Sequence, residues 1–277
     1  MEPPLVVGVD GSECSLVAVD WATDEAARHG LPVRLLYASA GDSDKDDVPS
    51  DAILVTATER VRRRNPRVRV TADVLFEDPV EALLRAVHHA SAVVTGSRGR
   101  GRLTGLLLGS VSLTVAGRAS GPVIVVRGDK AGLEGTHDRI LLGAGEPGTS
   151  GAAVRFALRE AEVRHCVLDV IRAWRHPAHR PMDHPLLTGD PAHFCEERAA
   201  TLIDALLQDA VADHPGVRVH RTTVEGTARR VLLRRSAAAD LVIIGVRRGH
   251  DRRDLGRVAH TLLHHAECPV AVVPERH

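Results

Sequence analysis

Lysine is almost missing from this 277-residue chain: Lys45 and Lys130 stand alone, and the other 34 of the 36 basic residues are arginine. Neither lysine lies in a glycine-rich loop, so the Walker A pattern, with its phosphate-reaching lysine, is absent. Schiff-base chemistry loses nearly all its candidates on the same count. The arginine bias reads as genomic base composition rather than as a device. Net charge is missing too, since 36 acidic side chains balance 36 basic ones. No overall field then favours nucleic acid or an anionic membrane, and neither is expected as a partner, although a local basic patch stays open. Cysteine is sparse. Cys14, Cys166, Cys195 and Cys268 form no CxxC pair, which is neither a disulfide framework nor a zinc-ribbon spacing. The chain does not open on a basic segment followed by an apolar one, and no apolar run approaches roughly 18 residues. The expectation is a cytoplasmic protein.

Apolar residues at 44% and charged residues at 26% are globular values, and the length suits two domains that each bury a core. The chain reads as one pattern written twice. In the first half, apolar strands are expected at Leu5–Val9, Val33–Ala38, Val68–Leu75, Ala92–Thr95 and Val123–Val126. Helices alternate with them: from Ser12 to about His29, after the acidic loop Asp42 to Asp51 to about Arg64, from Pro79 to Ala90, and from Ser110 to Arg118. The second half repeats the order with strands at Arg139–Gly143, Leu168–Ala173, Val217–Val224, Leu241–Gly245 and Val270–Val273. Its helices run over Ser150–Glu162, Pro191–Asp213, Thr227–Ala238 and Gly256–Ala266. The offset is 135 residues for the first two strands (Leu5 to Ile140), 149 for the next two (Gly96 to Gly245) and 147 for the last (Val123 to Val270). Strands alternating with helices imply parallel sheets covered on both faces. Right-handed crossovers then give an α/β, Rossmann-like, five-stranded doubly wound sheet in each half. The domains are expected at 1–127 and 138–277, with the Gly-rich charged stretch 128–137 as linker.

Ligands of doubly wound sheets sit at the carboxyl ends of the strands. Asp10 closes the first strand there, and Gly96-Ser97-Arg98-Gly99 closes the fourth. Nine residues later Gly109-Ser110 opens a helix. This is an anion cradle in physical terms: glycines let backbone N–H groups approach phosphate oxygens, and a helix N-terminus adds partial positive charge. The Ser110 hydroxyl can bond a phosphate, cap the helix, or both. Asp10 can accept from a ribose hydroxyl or hold a divalent metal.

Gly96-x-x-Gly99-x9-Gly109-Ser110, with Asp10 closing strand one, resembles the ATP-binding signature of the universal stress protein family. The flanking text, Thr95 to Gly101 and Leu107 to Ser112, is similar to that family almost residue for residue. The resemblance covers nearly the whole chain. It implies ATP with a divalent ion (Mg or Mn), a regulatory role in stress response, and a dimer-like pairing of domains. It leaves open a further homodimer of whole chains. It assigns to the nucleotide Asp10, Gly11, Ser12, Ala38 (adenine, through backbone), Gly96, Arg98, Gly99, Gly109, Ser110 and Val111, with Asp10 also the metal ligand and no catalytic residue.

The second half departs from the pattern. Gly145 stands where Asp10 stands, the loop reads Gly245-Val246-Arg247-Arg248-Gly249, and Gly256-Arg257 replaces Gly109-Ser110. Loss of ordinary ATP binding is expected there. His176, His179, His184 and His193 match no closed zinc spacing and read as a solvated loop. His88-His89 and His264-His265 end helices, where partly positive rings complement the macrodipole. Cys14, near the first helix N-terminus, reads as a small residue in a tight turn, with a redox-sensitive thiol as the sharper alternative. Arg98, Arg100 and Arg102 put charge on the loop over the phosphates.

Three functions compete: a nucleotide-sensing regulator that hydrolyses ATP little or not at all, a slow ATPase or adenylyl-transfer enzyme, and a protein-interaction scaffold that ignores nucleotide. No paired general acid and base and no GxSxG elbow supports the enzyme. The turn Gly8-Val9-Asp10-Gly11-Ser12 is not GxGxxG, which sets a dinucleotide site aside. The regulator is the expectation.

Overall fold

The structure, a computed structural model, describes residues 2–40, 49–99, 108–146, 150–176, 191–247 and 255–275. In the first half β1 (Leu5–Gly8), α1 (Glu13–His29), β2 (Val33–Ala38), α2 (Ser50–Arg64), β3 (Val70–Leu75), α3 (Pro79–Ala86), β4 (Ala92–Gly96), α4 (Ser110–Arg118) and β5 (Val123–Val126) follow in order. A short helix α5 (Lys130–Glu134) precedes the second half. There β6 (Arg139–Gly143), α6 (Gly151–Arg164), β7 (Val167–Trp174), α7 (Pro191–Ala212), β8 (Arg218–Glu225), α8 (Ala228–Ser236), β9 (Leu241–Val246), α9 (Arg257–His265) and β10 (Val270–Pro274) repeat the pattern.

The local chemistry explains the boundaries. Ser12 caps α1 by accepting from Ser15 N, and Gly30 ends the helix in the left-handed region. Asp78 caps α3, with Pro79 at the first helical position. The helix expected to reach Ala90 closes instead with a 3-10 turn over Val87–His89. Val, Leu and Ile fill the central strands, which are buried along β4, β5 and most of β1, as a sheet covered on both faces requires.

The strand order is β3-β2-β1-β4-β5-β10-β9-β6-β7-β8, so the two five-stranded units are one ten-stranded sheet. Every pairing within a half is parallel. The halves meet where β5 pairs antiparallel with β10, Val123 to Val125 against Val272 to Val270. Neither apolar edge is left open, which removes the liability of an unpaired strand. Helices α1, α2, α6 and α7 cover one face, and α3, α4, α8 and α9 the other.

The joint is folded, which its composition did not announce. Arg127 donates to the carbonyls of Ala266 (2.8 Å) and Leu263, and Asp129 N donates to Glu267 O at 3.0 Å. Gly128 takes φ +113°, and a Cβ there would lie 2.3 Å from the Glu267 carbonyl. Asp129 then caps α5 through Gly132 N.

A buried polar network crosses the pseudo-twofold on the α1/α6 side. Glu25 and Glu160 are equivalent positions 135 residues apart, as are His29 and Arg164. Arg164 holds Glu25 at 2.6 Å, and His29 Nε2 lies 3.4 Å from Glu25 and 3.2 Å from Glu160. Burial opposes ionisation of Glu25, yet Arg164 and the hydrogen bonds from Glu160 and His29 hold its carboxyl well below the usual range. Burial, then the Glu25 charge, pushes Glu160 up to about 7. Burial also opposes a charged imidazole, but the two carboxylates prevail and raise His29 to about 9.

Candidate functional site

The carboxyl edge of β1 and β4 brings the sequence-picked residues together. After β1 the chain turns at Gly11, whose φ of +81° favours glycine. Asp10 is then fixed by its neighbours: its Oδ1 accepts from Ser12 N at 3.0 Å and from Ser12 Oγ at 2.6 Å. Asp10 N donates to the buried Ser15 hydroxyl at 3.4 Å. Ser12 Oγ also lies 3.3 Å from the Arg98 carbonyl, which ties the β1 turn to the loop after β4.

The glycines divide the work in a way their spacing did not reveal. Gly96, buried at the end of β4, faces the first turn of α1, and a Cβ there would sit 2.5 Å from the Cys14 carbonyl. Its reason is close packing of helix on strand. Gly99 is the residue that admits the carboxylate, because a Cβ there would sit 2.6 Å from Asp10 Oδ2. Gly109 is held by its N–H to Ser97 O at 2.9 Å. A Cβ on it would meet only ordinary contacts, 3.7 Å or more, so the fold itself does not demand glycine there.

Gly109 takes the N-cap position of α4 and no side chain caps that end. Ser110 is therefore the first helical residue and exposed, not the cap, and Val111 follows half-buried. The first N–H groups of α4 have no partner within the helix, so their partial positive charge faces the ground beside Asp10 and Gly99. Ser112 instead turns inward and donates to Gly96 O at 2.8 Å. Ala38 ends β2 on the same edge, paired with Leu75. Arg98 is exposed above the site. Arg100, Gly101 and Arg102 lie outside the described residues, as do Arg248, Gly249, His179 and His184.

In the second half the same scaffold lacks the carboxylate. Gly145 N donates to Ser150 Oγ at 3.0 Å, as Asp10 N does to Ser15, but the side chain is absent. Glu275 brings its own carboxylate to α6, where Oε2 accepts from Ala152 N at 2.9 Å. A built-in anion thus occupies that helix start. Arg257 replaces Ser110 at the first position of α9, exposed.

Behind the glycine loop the two halves enclose a cavity of about 520 Å³ whose walls include Cys14, Arg98, Arg127 and His264. His264 is not the partly positive ring expected at this helix end. It is buried, its Nδ1 accepts from Leu108 N at 3.4 Å, and burial followed by the neighbouring His260 and His265 lowers its pKa. Sequence reasoning missed this contact because α9 meets the loop only through the β5–β10 pairing. Cys166 and Cys268 are buried thiols whose pKa is pushed up by burial, to about 11 for Cys166, which makes them poor nucleophiles. Among the described residues no helix is long and apolar enough to cross a membrane.

Comparison with known proteins bears on the family and the fold. The model of the universal stress protein family matches the chain twice, over residues 2–127 and 136–274. A universal stress protein of Mycolicibacterium smegmatis is 30% identical over 293 residues, covering 98% of this chain and 97% of the relative. One of Mycobacterium tuberculosis is 27% identical over 299 residues, covering 97% and 94%. Among solved structures, a universal stress protein from Archaeoglobus fulgidus matches 99% of this chain with a TM-score of 0.68 at 19% identity, a likeness of fold.

Proposed function

This chain belongs to the universal stress protein family, and from that premise we propose that it binds one ATP, in the first half, as a ligand that sets conformation in a cytoplasmic stress response. The observation that carries the reading is the placing of the Asp10 carboxylate 2.6 Å from where a Gly99 side chain would begin, on the loop against which Gly109, the N-cap of α4, also lies. The donor set fits a nucleotide. The α4 amides, Ser110 and Arg98 would take phosphate oxygens, and Ala38 would offer its backbone to the base. Asp10 would take a ribose hydroxyl or a divalent ion, Mg or Mn, that bridges to phosphate.

Little or no hydrolysis is part of the proposal. Hydrolysis needs a group that orients or deprotonates the attacking water. Asp20 is spoken for by Arg60, with bonds of 2.8 and 2.6 Å, and Glu13 is largely exposed and 3.7 Å from the same guanidinium. ATP would then favour one arrangement of the loop to the extent that this arrangement binds it better. Calorimetric titration with ATP and Mg is the test. One site per chain, lost in Asp10→Ala, is expected. Two equivalent sites would overturn the assignment to the first half, and no binding would leave a protein-interaction scaffold as the reading.

A further inference from the structure

A second concavity, of about 470 Å³, opens at the carboxyl end of β8, between the chain leaving β7 and the start of α8. Arg175, Arg230 and Arg234 bring positive charge to its lining beside His176 and Val231, and among the described residues of that lining Glu225 is the one carboxylate. None of these three arginines makes an ion pair among the described residues.

The first half explains why that is unusual. The equivalent ground there, 149 residues earlier, carries Glu77, Asp78 and Glu81. Asp78 caps α3, accepting from Val80 N at 2.9 Å and Glu81 N at 3.1 Å. Glu77 pairs with Arg85, and Glu81 with Arg118. In the second half these three acids become Gly226, Thr227 and Arg230, while Arg85 is retained as Arg234. The arginine has kept its place and lost its carboxylate. The helix start has lost its built-in anion too, since no side chain caps α8 at Thr227. Opposite Arg234, Arg175 stands where the first half has the neutral Ala40, 135 residues earlier.

We propose that this concavity is an anion site that the second half has in its own right, taking a phosphate dianion among Arg175, Arg230 and Arg234 at the start of α8. An uncapped helix start and guanidinium groups carried on two elements of the same lining suit phosphate oxygens by charge and by their planar donor pattern. The volume lies in the range of small-molecule sites, so a phosphate carried on an organic body fits as well as the free ion. This site is separate from the Asp10 cradle and does not depend on ATP binding there.

The test follows the Thr227 and Ala228 backbone amides, at the uncapped start of α8, by NMR in the full chain during titration with inorganic phosphate and, separately, with AMP. Saturable shifts at both amides are expected, and the stronger of the two probes identifies free or ester phosphate as the source. Arg230→Glu, which restores the first half's Glu81, combined with Arg234→Gln should weaken the response about tenfold or more, as loss of charge-assisted bonds predicts. Arg175→Gln, on the opposite wall, should weaken it as well and stands in if the double variant fails to fold. Absence of shifts with both probes would overturn the proposal, and so would shifts that persist unchanged in Arg175→Gln.

Discussion

Replacing His29 with glutamine tests how the two halves are held across α1 and α6. The imidazole lies between Glu25 and Glu160, which raise its pKa from 6.5 to about 9. At about 1.36 kcal/mol per unit that shift corresponds to roughly 3 kcal/mol favouring the charged ring in the fold. The ring is 19% exposed, and solvent screening lowers the figure to about 2 kcal/mol. Because the folded pKa lies above the unfolded one, this stability is fully present below pH 6.5 and is lost as pH rises through about 9. Glu160, raised from 4.5 to about 7, acts in the same direction over the lower window, since its neutral form is the one the interior favours. Glu25, held low, acts oppositely and loses its contribution only under acid. Wild-type stability measured by urea unfolding should therefore fall by about 2 kcal/mol between pH 6.5 and 9.5. His29→Gln should be less stable at pH 6.5 and much flatter over that range. Glu160→Gln should instead flatten the fall between pH 5 and 7. Equal slopes in wild type and His29→Gln would refute the assignment of this network as the charge-paired contact between halves.

The glycines separate folding from binding. Gly96→Ala should destabilise the protein by about 1–3 kcal/mol in thermal or urea unfolding, because its Cβ meets the Cys14 carbonyl. Gly109→Val should leave unfolding nearly unchanged while abolishing ATP binding in calorimetry. Ser110→Ala should weaken ATP by about 1–2 kcal/mol if its hydroxyl bonds phosphate, and unchanged affinity would remove that role. Phosphate release by the purified protein should stay well below about one per second, the low end for typical enzymes; faster turnover that disappears in Asp10→Ala would identify an ATPase.

The sequence alone determined the elements and their duplication, because these follow from short-range periodicity and capping. Apolar runs such as Val123–Val126, Ser12 before α1 and the Asp78-Pro79 pair act within a turn or two of themselves. The constant offsets carried one half's reading over to the other. The dimer-like pairing of domains that the family resemblance implies takes the form of β5 against β10, two apolar strands that would otherwise be open edges. That Asp10 and the glycine loop share one edge of the sheet was legible as well, through the strand ends on which they fall. Tertiary structure decided what depends on which distant surfaces touch. Gly96 serves the packing of α1, Gly99 admits the Asp10 carboxylate, and Gly109 is free of both constraints, a division that identical letters cannot express. Glu25, His29, Glu160 and Arg164 look like ordinary charges on two helix faces until β5–β10 pairing presses α1 and α6 together. The same pairing brings His264 under Leu108 and folds the Gly-rich joint onto Glu267. Burial then shifts these groups' proton affinities, and burial is a property of the assembled fold rather than of any stretch of chain.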